Sequence, residues 1–187
     1  MEQKTASRVE VLIVGLGGMG VLTAGQLLSG AALQVYEYVS YVPSYDTFRR
    51  GGLCECTVVF SDKEIASPIL DQAQTVMIFD GSQFKAFESR VRPGGVIIVE
   101  SAGLTDKPER KDFRLLPVSG LEIAISMGSS VINNLILLGV YVKVIKAISS
   151  ELVEKELERK YGGKEAILKQ NREAFRRGLE LAKTMER

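Results

Sequence analysis

The chain has 187 residues, 45% hydrophobic and 25% charged, enough to bury a real core as one globular unit. Its 24 Lys and Arg against 23 Asp and Glu leave a net charge of +1, which gives no electrostatic reason to expect nucleic acid or a membrane surface as partner. With no histidine, a Ser-His-Asp or Cys-His site is excluded, and two cysteines are too few for an iron–sulfur cluster or structural zinc.

The first ten residues, MEQKTASRVE, lack an apolar signal core, so a cytoplasmic protein is expected. Val9 to Val14 reads as a buried strand, β-branched and ended by glycine. Met19 to Leu33 reads as a helix and Val35 to Val39 as a second, weaker strand. Ser40 to Gly52 (SYVPSYDTFRRGG) is polar and punctuated, which predicts a long loop. Leu53 to Phe60 is a third strand, whose spacing puts Cys54 and Cys56 on one face as small core residues. Ser67-Pro68 predicts a short helical turn and Thr75 to Asp80 a buried strand. Ser82 is expected to cap a helix running to Val91, with Asp80 as a second capping candidate or a ligand contact.

Arg92-Pro93-Gly94-Gly95 reads as a tight turn, Val96 to Glu100 as a strand, 105–112 as an exposed loop and Phe113 to Val118 as the last strand. Leu121 to Lys146 reads as buried helix. Its stretch Ile123 to Val142 has membrane-spanning length and no charge, but its serines and asparagines argue for a protein core. Ile132, Leu135, Leu138 and Val142 are its core candidates, with a subunit interface as the alternative. Ser149-Ser150-Glu151 starts a helix whose charged run 151–160 reads as a solvated face; Gly162-Gly163 ends it, and Lys164 to Arg187 is a final amphipathic helix. Alternating strands and helices predict an α/β, doubly wound, mainly parallel sheet with helices on both faces and a C-terminal helical extension. The division expected is one domain, 1–187, with a sheet core over 1–120 and a helical part over 121–187.

The loop Gly15-Leu16-Gly17-Gly18-Met19-Gly20 allows close approach of a ligand to the backbone, and the helix after it offers free N–H groups. Glu37, 22 residues after Gly15, formally completes a dinucleotide fingerprint as ribose partner. The plain alternative is a glycine turn joining strand to helix. The second motif, PSYDTFRRGG, sets Arg49 and Arg50, suited to carboxylates or phosphates, before Gly51 and Gly52.

Together, GLGGMGVLTAGQLL, PSYDTFRRGGLCECTVVFSDKEIASPILDQA and RPGGVIIVES resemble the gamma subunits of 2-oxoacid:ferredoxin oxidoreductases, closest in pattern to the 2-oxoglutarate enzymes. The family pattern Gly-Gly-Gln-Gly-Val is matched by Gly17, Gly18, Gly20 and Val21. Its Ser-Tyr-Gly-Pro-Glu-x-Arg-Gly-Gly is matched by Ser44, Tyr45, Arg50, Gly51 and Gly52, and its Ile-x-Ser-Pro by Ile65, Ser67 and Pro68. A weaker likeness runs through Asn134, Gly139, Asn171, Phe175 and Gly178. Met19 replaces the usual glutamine, and Asp46-Thr47 the usual Gly-Pro.

The resemblance implies a subunit of a complex that decarboxylates a 2-oxoacid oxidatively, 2-oxoglutarate before pyruvate, to an acyl-coenzyme A, with electrons passed to ferredoxin. It implies alpha, beta and delta partners that hold thiamine diphosphate, Mg and the iron–sulfur clusters, coenzyme A as a substrate contact, no catalytic residue or metal in this chain, and an isolated chain that is inactive or a homodimer. The two glycine loops, with Arg49 and Arg50, are then expected to meet at one sheet edge and face ligand or partner. The alternatives are a stand-alone NAD- or FAD-binding domain using Glu37, and a purely structural subunit.

Overall fold

The computed structural model of the chain describes residues 8–45 and 51–185. Six strands form one sheet in the order β2-β3-β1-β4-β5-β6: β1 Arg8–Leu16, β2 Tyr38–Tyr45, β3 Leu53–Ser61, β4 Ala73–Ile78, β5 Val91–Glu100 and β6 Arg114–Val118. The β1–β4, β4–β5 and β5–β6 pairings are parallel, whereas β3 runs antiparallel to both β1 and β2. The helices are α1 Val21–Ala32, α2 Phe84–Phe87, α3 Gly120–Ser126, α4 Asn133–Ile145, α5 Ser150–Tyr161 and α6 Glu165–Met185.

The central strands carry unbroken apolar runs, Val11 to Val14 in β1, Val76 to Ile78 in β4 and Val96 to Val99 in β5, because both faces are covered there. Val11 and Ile13 of β1 point to a large core shared with α1, α4, α5 and α6; Leu12 and Val14 point to a smaller one closed by Phe84 and Phe87 of α2. Cys54 and Cys56 face the larger core, as their spacing requires. Ile132, Leu135, Leu138 and Val142 are also buried there, each such side chain contributing roughly 1.5–3 kcal/mol of transfer free energy.

Several local expectations are corrected. Most of the expected loop from Ser40 is strand: β2 continues to Tyr45, and the strand begins at Tyr38 rather than Val35. As an edge strand it tolerates polar residues and Pro43, since a proline there costs no ladder bond on the open side. Asp46, Thr47, Arg49 and Arg50 lie outside the described residues. Ser67-Pro68 is irregular, not helical. Asp80, not Ser82, is the cap: its Oδ1 accepts from the Ser82 N–H at 3.0 Å and from the Ser82 hydroxyl at 2.8 Å. The segment it caps alternates 3-10 and α turns from Gly81 to Arg90. Residues 92–95 are extra length in β5, opposite one step of β4, so the tight turn is a bulge inside a strand. The helix expected over 121–146 breaks between Ser126 and Asn133. Among the described residues, no helix is long and apolar enough to cross a membrane.

Helices α4 and α6 cross where Gly139 meets Gly178. A Cβ on Gly139 would stand 2.9 Å from the Leu179 nitrogen and 3.0 Å from the Gly178 Cα, so the two backbones are in direct contact. This crossing accounts for the glycines that carry the weaker C-terminal likeness.

Candidate functional site at the carboxyl edge of the sheet

Strands β1, β4, β5 and β6 end at one edge, at Leu16, Ile78, Glu100 and Val118. Two antiparallel pairings in succession make β2 run parallel to β1, so Tyr45 also ends there. In open sheets this carboxyl edge is where ligands bind. The two glycine motifs therefore converge: Gly15 pairs with Cys54, which pairs with Tyr45.

The contact is direct. The Gly17 N–H donates to the Gly52 carbonyl at 2.8 Å. A Cβ on Gly17 would stand 3.3 Å from the Gly51 nitrogen, tighter than nearly all real contacts, so glycine lets the loops close on each other. Gly18 stands exposed at the tip, and Met19 curls back so that its Sδ accepts the Leu16 N–H at 3.4 Å. Gly15 is a packing position: its Cβ would stand 3.1 Å from the Phe79 Cβ. Val21, the first residue of α1, is buried. Ser44 is exposed near the end of β2.

Gly20 is the N-cap of α1 with φ +76°, a left-handed conformation that other residues adopt only with strain. It offers no side chain to the first turn, which carries no acidic residue. The N–H groups of that turn have no intrahelical partner and form the positive end of a 12-residue helix. Asn134, at the start of α4, holds Gly20 from below by donating its Nδ2 to the Gly20 carbonyl at 3.1 Å. A cavity of ≈ 440 Å³ opens over this helix end, lined by Leu16, Gly17, Gly18, Thr23, Gly52, Leu53 and Cys54. Gly18 and Val131 separate it from a more enclosed cavity of ≈ 230 Å³ that reaches Met19, Phe79 and Asn133.

Glu37 is not part of this arrangement. It precedes β2, next to the amino end where Tyr38 pairs with Ser61 and Ser61 with Arg8. The length of the strand, about 25 Å at ~3.3 Å per residue, separates it from the glycine loop. The ribose partner that the spacing suggested is thus at the opposite edge.

The cysteines do not fit ligation of a cluster. Burial pushes the Cys56 thiol up to about 12, with the neighbouring Cys54 adding to the effect. Burial also raises Cys54, helped by the Glu55 charge. Protonated thiols facing a core are poor metal ligands. Among the described residues no group of three or more His, Cys, Asp or Glu side chains converges as a metal site.

The sequence model for pyruvate ferredoxin/flavodoxin oxidoreductases matches residues 10–181. The chain belongs to that family. Its relatives include the ketoisovalerate oxidoreductase subunit VorA of Methanothermobacter marburgensis, 30% identical over 94% of this chain; the chain spans only 37% of that protein's length. The 2-oxoglutarate synthase subunit KorC of Methanocaldococcus jannaschii is 28% identical over 98% of this chain and 99% of its own. The family fold is seen in the gamma subunit of a keto/oxoacid ferredoxin oxidoreductase from Geobacter sulfurreducens. It has TM-score 0.80 and 26% identity, and the match covers 96% of this chain and 98% of that one. A 2-oxoglutarate:ferredoxin oxidoreductase from Magnetococcus marinus, solved with 2-oxoglutarate, coenzyme A and succinyl-CoA, has the same fold. Its TM-score is 0.86 at 22% identity, over 96% of this chain and 32% of that one.

The residues that sequence reasoning did not single out are Thr23, Leu53 and Val131, which line the cavity. Asn134, which supports it, stood in the sequence only within the weaker C-terminal likeness, with nothing local to link it to the glycine loop.

Proposed function

We propose that this chain is the gamma subunit of a 2-oxoacid:ferredoxin oxidoreductase. Such a complex decarboxylates a 2-oxoacid oxidatively, passes the electrons to ferredoxin and forms an acyl-coenzyme A. The alpha, beta and delta chains hold thiamine diphosphate, Mg and the iron–sulfur clusters, which supply the carbanion and electron-transfer chemistry. The observation that carries the reading is the Gly17–Gly52 junction: both family motifs are locked into one wall over the open end of α1. A near end-to-end match with KorC favours 2-oxoglutarate, with pyruvate next.

On this reading the chain binds and orients rather than reacts. The first-turn N–H groups of α1 take an anionic oxygen of coenzyme A, since nothing in the turn opposes negative charge. Arg49 and Arg50, which lie in sequence between Tyr45 and Gly51, would add the cations that a phosphate-rich ligand needs. A nucleotide domain built on Glu37 is disfavoured by the distance between that residue and the loop.

The test is calorimetry on the full chain with coenzyme A, adenosine 3′,5′-bisphosphate and NAD, followed by kinetics of the assembled complex. Binding of the first two without NAD is expected. Arg50→Ala should raise the complex's KM for coenzyme A about tenfold, the loss of one charge-assisted contact. Micromolar NAD binding with no response to coenzyme A would overturn the reading.

A further inference from the structure

A cavity of ≈ 350 Å³ opens where α4 gives way to α5, at the end of α4 away from Asn134. Asn134 and Lys143 stand about 14 Å apart along that helix, at ~1.5 Å per residue, so this is a second cavity and not an extension of the first. Its volume falls within the range of small-molecule sites, roughly 300–1,000 Å³. Val142, Ile148 and Leu152, all buried, line it together with the partly buried Val35 and Leu179. The connection that forms it is pinned, because the Tyr36 hydroxyl donates to the Ala147 carbonyl at 3.1 Å. Three charged side chains join these aliphatic ones. Lys143 is partly buried, and among the described residues no ion pair or hydrogen bond engages it. The last turn of α4 favours a cation there, but an ammonium among aliphatic side chains without a counter-charge is costly. Lys146, exposed at the rim, has φ +58° and is the one residue other than glycine in the left-handed region among the described residues. Glycine takes that conformation with less strain, so the lysine stands there at a backbone cost that its side chain must offset. Glu151 is already engaged. Its Oε1 accepts from the Ser150 hydroxyl at 3.3 Å, and its own backbone N–H, with the Ser149 hydroxyl, holds the carboxyl below its ordinary range. It answers the first turn of α5, so the group that calls for an anion is Lys143 and not the helix end.

We propose that this cavity binds a short aliphatic carboxylate, with its chain against Val142, Ile148 and Leu152 and its carboxylate on Lys143, and with Lys146 adding positive charge at the rim. Two lysines against one glutamate leave the recess positive. A strongly hydrated anion such as phosphate would leave the apolar lining unused. A free acid and an α-amino acid share the chemistry required; the second would also bring an ammonium to Glu151. The site is independent of the subunit reading given above.

The experiment is titration calorimetry of the full chain with 4-methylpentanoate, leucine and 3-methylbutylamine. At least one of the two carboxylates should bind with a sub-millimolar Kd, and the amine should not bind. Lys143→Met keeps the aliphatic stem and should weaken binding about tenfold, the loss of one charge-assisted contact; Lys143→Arg should restore most of it. Val35→Phe, which fills the recess, should weaken binding too, with a melting curve to show that the chain is folded. Lys169→Met, exposed on α6, should bind as the natural chain does. Tighter binding of leucine, with the advantage lost in Glu151→Gln, assigns an amino acid; any other order of the two carboxylates assigns the free acid. The inference is overturned if neither carboxylate binds at millimolar concentration, if the amine binds as tightly as they do, or if Lys143→Met binds as the natural chain does.

Discussion

Asn134 and Gly20 are 114 residues apart, yet the Asn134 amide donates to the Gly20 carbonyl at 3.1 Å and occupies the space a Gly20 side chain would need. The loop is thus held by helix α4 as well as by its own turn, in which the Met19 N–H donates to the Leu16 carbonyl at 3.1 Å. Gly20→Ala meets both a left-handed φ and this amide, and should cost about 2–4 kcal/mol. Asn134→Ala removes one of the two hydrogen bonds that the Gly20 carbonyl accepts, the other coming from the Ala24 N–H at 3.0 Å, and should cost about 0.5–1.5 kcal/mol. Urea unfolding measures both; a loss under about 0.5 kcal/mol, the scatter of surface variants, would show that the α4 contact does not hold the loop.

The Gly139–Gly178 crossing makes a second prediction. Gly139→Ala drives a methyl into the backbone of α6 and should lower stability by about 3 kcal/mol, the upper range for overpacking, or roughly 6–12 °C in Tm for a chain of this size. Gly163→Ala, where no atom lies within 4 Å, should stay within about 0.5 kcal/mol. Equal melting temperatures for the two variants would contradict the packing described.

Thiol chemistry tests the cysteine environment. With burial pushing the Cys56 thiol up to about 12, thiolate is scarce at pH 8. A colorimetric disulfide reagent should therefore label Cys54 slowly, Cys56 more slowly still, and both at once in urea. Rapid stoichiometric labelling of the folded chain would show the thiols to be open.

Acid stability should depend on the α5–α6 pair. Arg176 Nε and Nη2 each reach a Glu154 oxygen at 2.8 Å, and this hydrogen bonding, with the guanidinium charge, holds the Glu154 carboxyl below its ordinary range. A depressed carboxyl stabilises the fold at pH values above the ordinary carboxylate range, and the contribution is lost as pH falls through the folded value. Solvent screening holds it to about 0.5–1 kcal/mol. Arg176→Gln should lose that amount at pH 7 and nothing at pH 2, read from melting curves across the range.

Met19→Gln should leave Tm within about 1 °C, because the amide oxygen can take the Leu16 N–H that the thioether sulfur now accepts. A large drop would mean that the apolar packing of Met19 matters more than its acceptor.

The sequence carried most elements because both periods are local: continuous apolar runs for strands buried on two faces, and the 3.6 repeat of α6. It misread β2 because an edge strand needs apolar residues on only one side and tolerates Pro43. It misread the helix cap because Asp80 and Ser82 are both cap formers, and only geometry decides which oxygen faces the free N–H. The split between α3 and α4 falls at Gly128-Ser129-Ser130, with Gly128 at φ +87°, but the uncharged stretch on both sides reads as one continuous buried helix.

The candidate site divides the same way. Residue types alone fixed that Gly15 to Gly20 and Gly51-Gly52 would turn tightly, that no histidine chemistry was available, and that the thiols of Cys54 and Cys56 would share a face. Only the tertiary structure decided that Gly17 meets Gly52 while Glu37 falls at the opposite edge. The reason is the extent and direction of β2: it runs parallel to β1 from Tyr38 to Tyr45, so Glu37 stands just before its amino end while its far end, through β3, comes back to the glycine loop. Strand direction is set by pairing across the sheet, which no local stretch of sequence encodes.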